Sequence, residues 1–274
     1  MPSSTNGPAM EYQVLEDQVK AVRSLAMQAY QITVAEPLRA NRLDDLACRI
    51  NLLKRFVDDY EWIDDPSIRA DDEVINWTFP DVTLDFANAV WNLACGFYKA
   101  SGSSARSAYD LSVLALFFLI KQNREPSSYV TKVFDEWDRG DIPSPPWEGI
   151  KNVFTDQGLF RDFNSQHNCD VIKESRDHYR VMSSFAHSRP FAPVSRLPTN
   201  NMSLPFLPPR FDASTFDRFA DLLAVTIGWV ATMWLLSYPE ILTRQASHHP
   251  VQSSTYRPLF VNPRGKEAFA FVTR

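Results

Sequence analysis

Between Leu222 and Tyr238 the chain reads LLAVTIGWVATMWLLSY, a run without a single charge. Such a run suits only two surroundings, a protein interior or a bilayer interior. As a helix it would rise about 25 Å, short of the roughly 30 Å hydrocarbon core of a membrane. Asp221 and Pro239-Glu240 close it abruptly at either end. A central helix buried on most sides is therefore expected, with membrane association as the lesser alternative. The rest of the chain then has to supply amphipathic helices to cover it.

Composition agrees with that demand. Eight glycines stand against 19 prolines, so positive-φ hairpin turns and glycine-rich nucleotide loops are scarce. Helices joined by proline-marked connections are the expectation. At 274 residues a single large domain buries a substantial core. A net charge of −5 carries no footprint of a generic nucleic-acid binder, so any such contact needs a local patch. Cys48, Cys95 and Cys169 are odd in number and far apart. They read as reduced thiols of a cytoplasmic protein, and the first 20 residues lack the basic-then-apolar order of a secretory signal.

Residues 1–10 are polar and proline-bearing and are expected to be disordered. A domain over 11–243 follows, an all-α bundle of about seven helices. Leu15, Val19, Val22, Ala26 and Ala29 mark a first amphipathic helix, and Leu43, Leu46, Ile50, Leu53 and Phe56 a second, antiparallel one. Between Asp58 and Asp85 ten acids face only Arg69. The order of a calcium loop is missing there, so a solvated acidic connection with Pro66 and Pro80 as stops is expected rather than a metal site. A helix over 85–100 is expected to end at Ser101-Gly102, with Ser103 or Ser104 capping the next one to residue 122. Within that next helix Arg106 and Asp110 share a face at four-residue spacing. Helices are further expected at 127–139, 147–163, 170–188 and 213–238, with proline-rich connections near 140–147 and 190–210. The basic tail, 244–274, ends in Phe269-Ala270-Phe271-Val272, which leaves a short strand open.

Phosphate loops, dinucleotide fingerprints, zinc helices and nucleophile elbows are all missing from the sequence. No cofactor and no metal are expected; His248-His249 has no third ligand nearby. The stretch from Asp170 to Pro190, DVIKESRDHYRVMSSFAHSRP, carries the polar cluster whose spacing suggests chemistry. As a helix it aligns Ile172, Ser175, Tyr179, Met182 and Ala186 in one packing stripe, flanked by Val171, His178 and Phe185. Asp177, Arg180, Ser184 and His187 gather on another face. A guanidinium grips a phosphate in bidentate fashion, and an imidazole moves protons near neutrality. Arg180 and His187 two turns apart thus suit metal-free cleavage of RNA, whose 2′-hydroxyl is its own nucleophile, with Asp177 and Ser184 in support.

That spacing resembles the Arg-x4-6-His motif of HEPN domains. ARSAYD at 105–110 and YRVMSSFAHS at 179–188 are also similar to helical families of the abortive-infection neighbourhood. The resemblance implies an all-helical, homodimeric protein of bacterial stress or phage defence. Arg180 and His187 would be its catalytic residues, Tyr179, Arg106 and Asp110 their supports, and RNA its substrate. Val181 departs from the polar residue common at that place. The rival expectation is a non-catalytic interaction module with a protein partner, in which Arg106, Asp110, Tyr179 and His187 form a structural polar cluster.

Overall fold

The computed structural model describes residues 8–61, 73–122, 127–186, 211–239, 242 and 253–273, with side chains omitted at 8–15, 59–61, 73–77, 122, 127–131, 184–186 and 253. Among the described residues the fold is all helical, with no strand. The helices are α1 (Pro8–Ala35), α2 (Pro37–Glu61), α3 (Glu73–Ala94), α4 (Tyr98–Gln122), α5 (Ser127–Asp138), α6 (Trp147–Thr155), α7 (Gly158–His167), α8 (Val171–Ala186) and α9 (Ala213–Ser237), followed by a 3-10 helix (Ser253–Leu259) and α10 (Pro263–Val272).

The uncharged run forms the body of α9, and fifteen residues of that helix are buried. Helices α2, α3, α4, α7 and α10 and the 3-10 helix all pack on it. Each large apolar side chain sealed this way contributes about 1.5–3 kcal/mol. Polar atoms in this setting need internal partners. Thr226 and Thr232 donate back to the carbonyls of Leu222 (2.7 Å) and Gly228 (2.6 Å), and the Trp234 indole donates to Ser112 Oγ at 3.0 Å. Asp212 caps the helix by accepting from the Thr215 amide at 2.7 Å. Both α4 and α9 are long and apolar enough to cross a membrane; in this fold 67% and 78% of their apolar windows are buried.

Four expectations are corrected. Pro80 does not stop a helix but lies inside α3. Its ring is exposed, while Phe79, Val82 and Phe86 around it are buried, so packing on the core outweighs the lost backbone hydrogen bond. The break between α3 and α4 falls at Gly96, not at Ser101-Gly102. Gly96 adopts φ 76°, and the Gly96 and Phe97 amides return to Leu93 O (3.1 Å) and Asn92 O (2.8 Å), a Schellman closure that favours glycine. Ser101 and Gly102 instead lie buried within α4.

The count of about seven helices is too low. The segment 147–163 bends at Asp156-Gln157 into α6 and α7, which lets Phe154 and Phe160 pack edge to face at 5.6 Å. The tail adds two more helices, and its closing FAFV is the end of α10 rather than a strand. That tail is docked: Tyr256, Leu259 and Phe260 are buried, and Phe56 of α2 packs against Tyr256 and Phe260 at 5.1 and 6.1 Å. Arg49 donates to the Pro258 carbonyl. A Cβ on Gly228 of α9 would meet Asn262 Nδ2 at 3.0 Å and Leu259 O at 3.1 Å. Glycine at this crossing is what lets α9 and the tail approach so closely.

Candidate functional site

Helix α8 begins where Asn168 turns left-handed at the end of α7 (φ 45°). Asp170 then caps it, accepting from the Lys173 amide at 3.0 Å. Its apolar stripe faces inward as the period demands, with Val171, Ile172, Ser175 and Met182 buried. On the side toward α4, Tyr109 and Ser175 share a buried hydrogen bond. One turn along, Arg106 Nε donates to Tyr179 Oη at 2.9 Å, and Tyr179 Oη donates to Asp110 Oδ2 at 3.0 Å. Arg106 Nε also lies 3.6 Å from Asp110 Oδ2, and its guanidinium sits 5.4 Å from the Tyr179 ring centre. The structure thus brings Arg106, Asp110 and Tyr179 together in the α4–α8 seam.

Electrostatics follow from that placement. Burial pushes the Asp110 carboxyl above its ordinary range, while the Tyr179 hydrogen bond and the Arg106 charge pull it back. Burial likewise pushes the Tyr109 phenol well up. Both groups therefore act first as fixed hydrogen-bonding partners. Further along the same antiparallel seam, Ser101 Oγ and Ser183 Oγ are buried without a hydrogen-bond partner among the described residues. Such hydroxyls cost about 1–3 kcal/mol each.

Arg180 points the other way. Its side chain is 64% exposed and pairs with Asp177 of the same helix at 2.8 Å, a contact worth little in water. Ser184 lies in the last turn of α8, but its side chain is not described, and His187 lies outside the described residues. Arg176, one turn before Arg180, lies over the Trp147 ring of α6 at 4.9 Å and reaches Glu148 at 3.6 Å. The described outer face of α8 therefore carries Lys173, Arg176, Asp177 and Arg180, and in front of them the exposed Val181.

On its third side α8 meets α9 through His178, whose Nε2 lies 2.8 Å from Thr226 Oγ1. The Thr226 hydroxyl hydrogen goes to Leu222 O, so the ring nitrogen is the donor. Burial lowers the His178 pKa to about 4, which keeps the ring neutral near pH 7. Glu174 on the same side accepts twice from Arg264 Nε, at 2.9 and 3.2 Å, and again from its Nη2. Arg264 also donates to Glu267 at 2.8 Å. Part of the basic character of the tail is thereby used to fasten α10 to α8.

Sequence reasoning missed Tyr109, His178 and Ser183 as polar participants. Tyr109 and His178 sit on apolar stripes, where an aromatic ring reads as core, and only tertiary contacts show what the hydroxyl or imidazole meets. Among the described residues no group of His, Cys, Asp and Glu could hold a metal ion. An open groove of about 590 Å³ lies between the first turns of α2 and α9, lined by Glu36, Leu38, Arg39, Arg42, Asp217 and Asp221. Its walls are bridged, because Arg42 reaches Asp217 at 3.0 Å and Asp221 at 2.6 Å while Arg39 stacks on Phe211 at 4.6 Å.

Compared with protein-family models, with curated proteins and with solved structures, the chain matches none. A functional reading therefore rests on the residues themselves.

Proposed function

We propose that this chain is a non-catalytic helical interaction module of the cytoplasm, in which Arg106, Asp110 and Tyr179 lock α4 to α8. The supporting observation is the Tyr179 hydroxyl. It accepts from Arg106 and donates to Asp110, so its one proton goes to a partner inside the fold. Groups so engaged hold helices in register, and pulling one out exposes the others to an unpaired interior.

A second reading is favoured by one specific observation. Arg180 is open to solvent and, among the described residues, is held only by an exposed partner, Asp177, so a phosphate could replace that carboxylate at small cost. On this reading the chain is an HEPN-like, metal-independent ribonuclease of bacterial stress or phage defence. Arg180 would grip the phosphate and His187 would move the proton.

One assay separates the two. Purified wild-type protein, Arg180→Ala and His187→Ala are incubated with mixed RNA in EDTA. The module predicts no fragments beyond the buffer control from any of the three. Fragments made by the wild type and lost in either variant overturn it and establish the nuclease. In parallel, Tyr179→Phe removes both the hydrogen bond to Asp110 and the acceptor for Arg106, so it should lower unfolding stability by about 1–2 kcal/mol, measured by urea titration.

A further inference from the structure

Helix α8 turns a basic stripe outward. Lys173, Arg176 and Arg180 follow one another at i, i+3 and i+7, which at 3.6 residues per turn gathers them within roughly 60° of arc and about 10 Å of length. Lys173 is exposed and has no ion-pair partner among the described residues. Arg180 is 64% exposed. Arg176 is steadied from the side, since its guanidinium lies over the Trp147 ring of α6 at 4.9 Å. Lys151, one turn along α6 from Trp147, adds a fourth cation without an ion pair among the described residues.

Two carboxylates of the chain itself already meet these arginines. Glu148, 72% exposed, reaches Arg176 at 3.6 Å, and Asp177, 51% exposed, reaches Arg180 at 2.8 Å. Both pairs stand in water, where exchanging one carboxylate for another costs little. The face therefore accepts carboxylates and holds its own ones loosely. Arg176 in particular gives up little freedom on binding, because stacking has ordered it beforehand. A partner helix repeats its side chains with the same rise as α8, so acids one turn apart on it meet all three cations of the stripe at once. A long polyanion suits this face less. The stripe is short, and the net charge of −5 on the whole chain opposes a phosphate backbone running past it.

From this charge complementarity we infer that the outer face of α8 docks an acidic helical segment of a partner protein. Arg176 and Arg180 supply charge-assisted hydrogen bonds to its carboxylates, and Lys173 and Lys151 flank them. The inference names the partner of the interaction module proposed above and rests on that reading. The two fail separately. RNA fragments in the cleavage assay overturn the module itself, whereas a protein that cleaves no RNA and ignores acidic helices loses only this partner.

The test is fluorescence anisotropy on the full chain with a labelled, alanine-rich helix of about 16 residues carrying glutamates at i, i+4, i+7 and i+11. Wild type should bind it with an affinity that falls as salt rises. The same peptide with glutamines should bind about tenfold or more weakly. Lys173→Glu and Arg176→Glu should each weaken binding of the glutamate peptide about tenfold or more, with wild-type helical content by circular dichroism. Asp177→Asn removes the carboxylate that competes for Arg180 and should tighten binding about two- to threefold. Asp44→Asn, at an exposed position on α2, should leave it unchanged, which a response to net charge alone would not do. Absence of binding, or equal binding of the two peptides, overturns the inference. So does binding that survives both Lys173→Glu and Arg176→Glu, or an equal response to Asp177→Asn and Asp44→Asn. A labelled oligouridylate of equal charge that binds more tightly than the glutamate peptide, and is lost in Arg176→Glu, overturns the acidic partner in favour of RNA.

Discussion

His178 illustrates how a single side chain turns burial into pH dependence. Its pKa of about 4 in the fold lies below the roughly 6.5 of an unfolded histidine. Above pH 6.5 both states are neutral and the fold has its full stability. As pH falls from 6.5 toward 4 the unfolded chain takes up the proton first, so stability is lost over that window and levels off below it. The wild type should therefore lose roughly 2–3 kcal/mol from this group between pH 7 and pH 4, reduced by whatever solvent reaches the ring. His178→Gln should show a flatter curve, and urea titrations of the two proteins at pH 7 and pH 5 measure the difference. Gly265 acts through space alone. A Cβ there would meet Thr232 Oγ1 at 2.9 Å, and that hydroxyl is already committed to Gly228 O. Gly265→Ala should cost about 1–3 kcal/mol, visible as a lower melting temperature. At this scale the sequence was legible where partners are near in the chain. Arg106 and Asp110 at i, i+4 announced a shared face, whereas Tyr179, 69 residues beyond Asp110, was placed only on the packing stripe of its own helix.

The joint between α3 and α4 shows what a helical period reveals and what it leaves open. The apolar faces of both helices were readable from spacing, but their ends were not. Gly102 follows Ser101 and looks like a local C-terminal cap, yet it is buried inside α4 on the end of the helix that runs toward the level of Ser183. The true stop is Gly96, whose left-handed φ closes the α3 carbonyls. Gly96→Ala should therefore destabilise the protein by about 1–2 kcal/mol in urea titration, while an alanine at the right-handed Gly149 should not. Pro80 teaches the same lesson from the opposite side, since a local breaker was overruled by Phe79, Val82 and Phe86 reaching the core. Local rules propose boundaries; long-range burial selects among them.

The whole molecule is built around α9, and here the sequence was most informative, because seventeen uncharged residues leave few places to go. What it could not tell is how the covering helices divide their own apolar residues between core and surface. Periodicity identifies the stripe on α1, for instance, but not that Val19 and Met27 remain uncovered within one copy of the chain. If α9 is covered as described, cell fractionation should leave the protein in the supernatant after ultracentrifugation without detergent. The tryptophans, finally, give the fold a built-in optical gauge. Trp234 is sealed, with its indole proton held by Ser112, and Trp91 stands more than half exposed beside Tyr30. Acrylamide should quench the emission of Trp91 and spare the blue-shifted emission of Trp234. A Trp91→Phe protein read against the wild type would thus report, in light alone, when something comes to rest on α3.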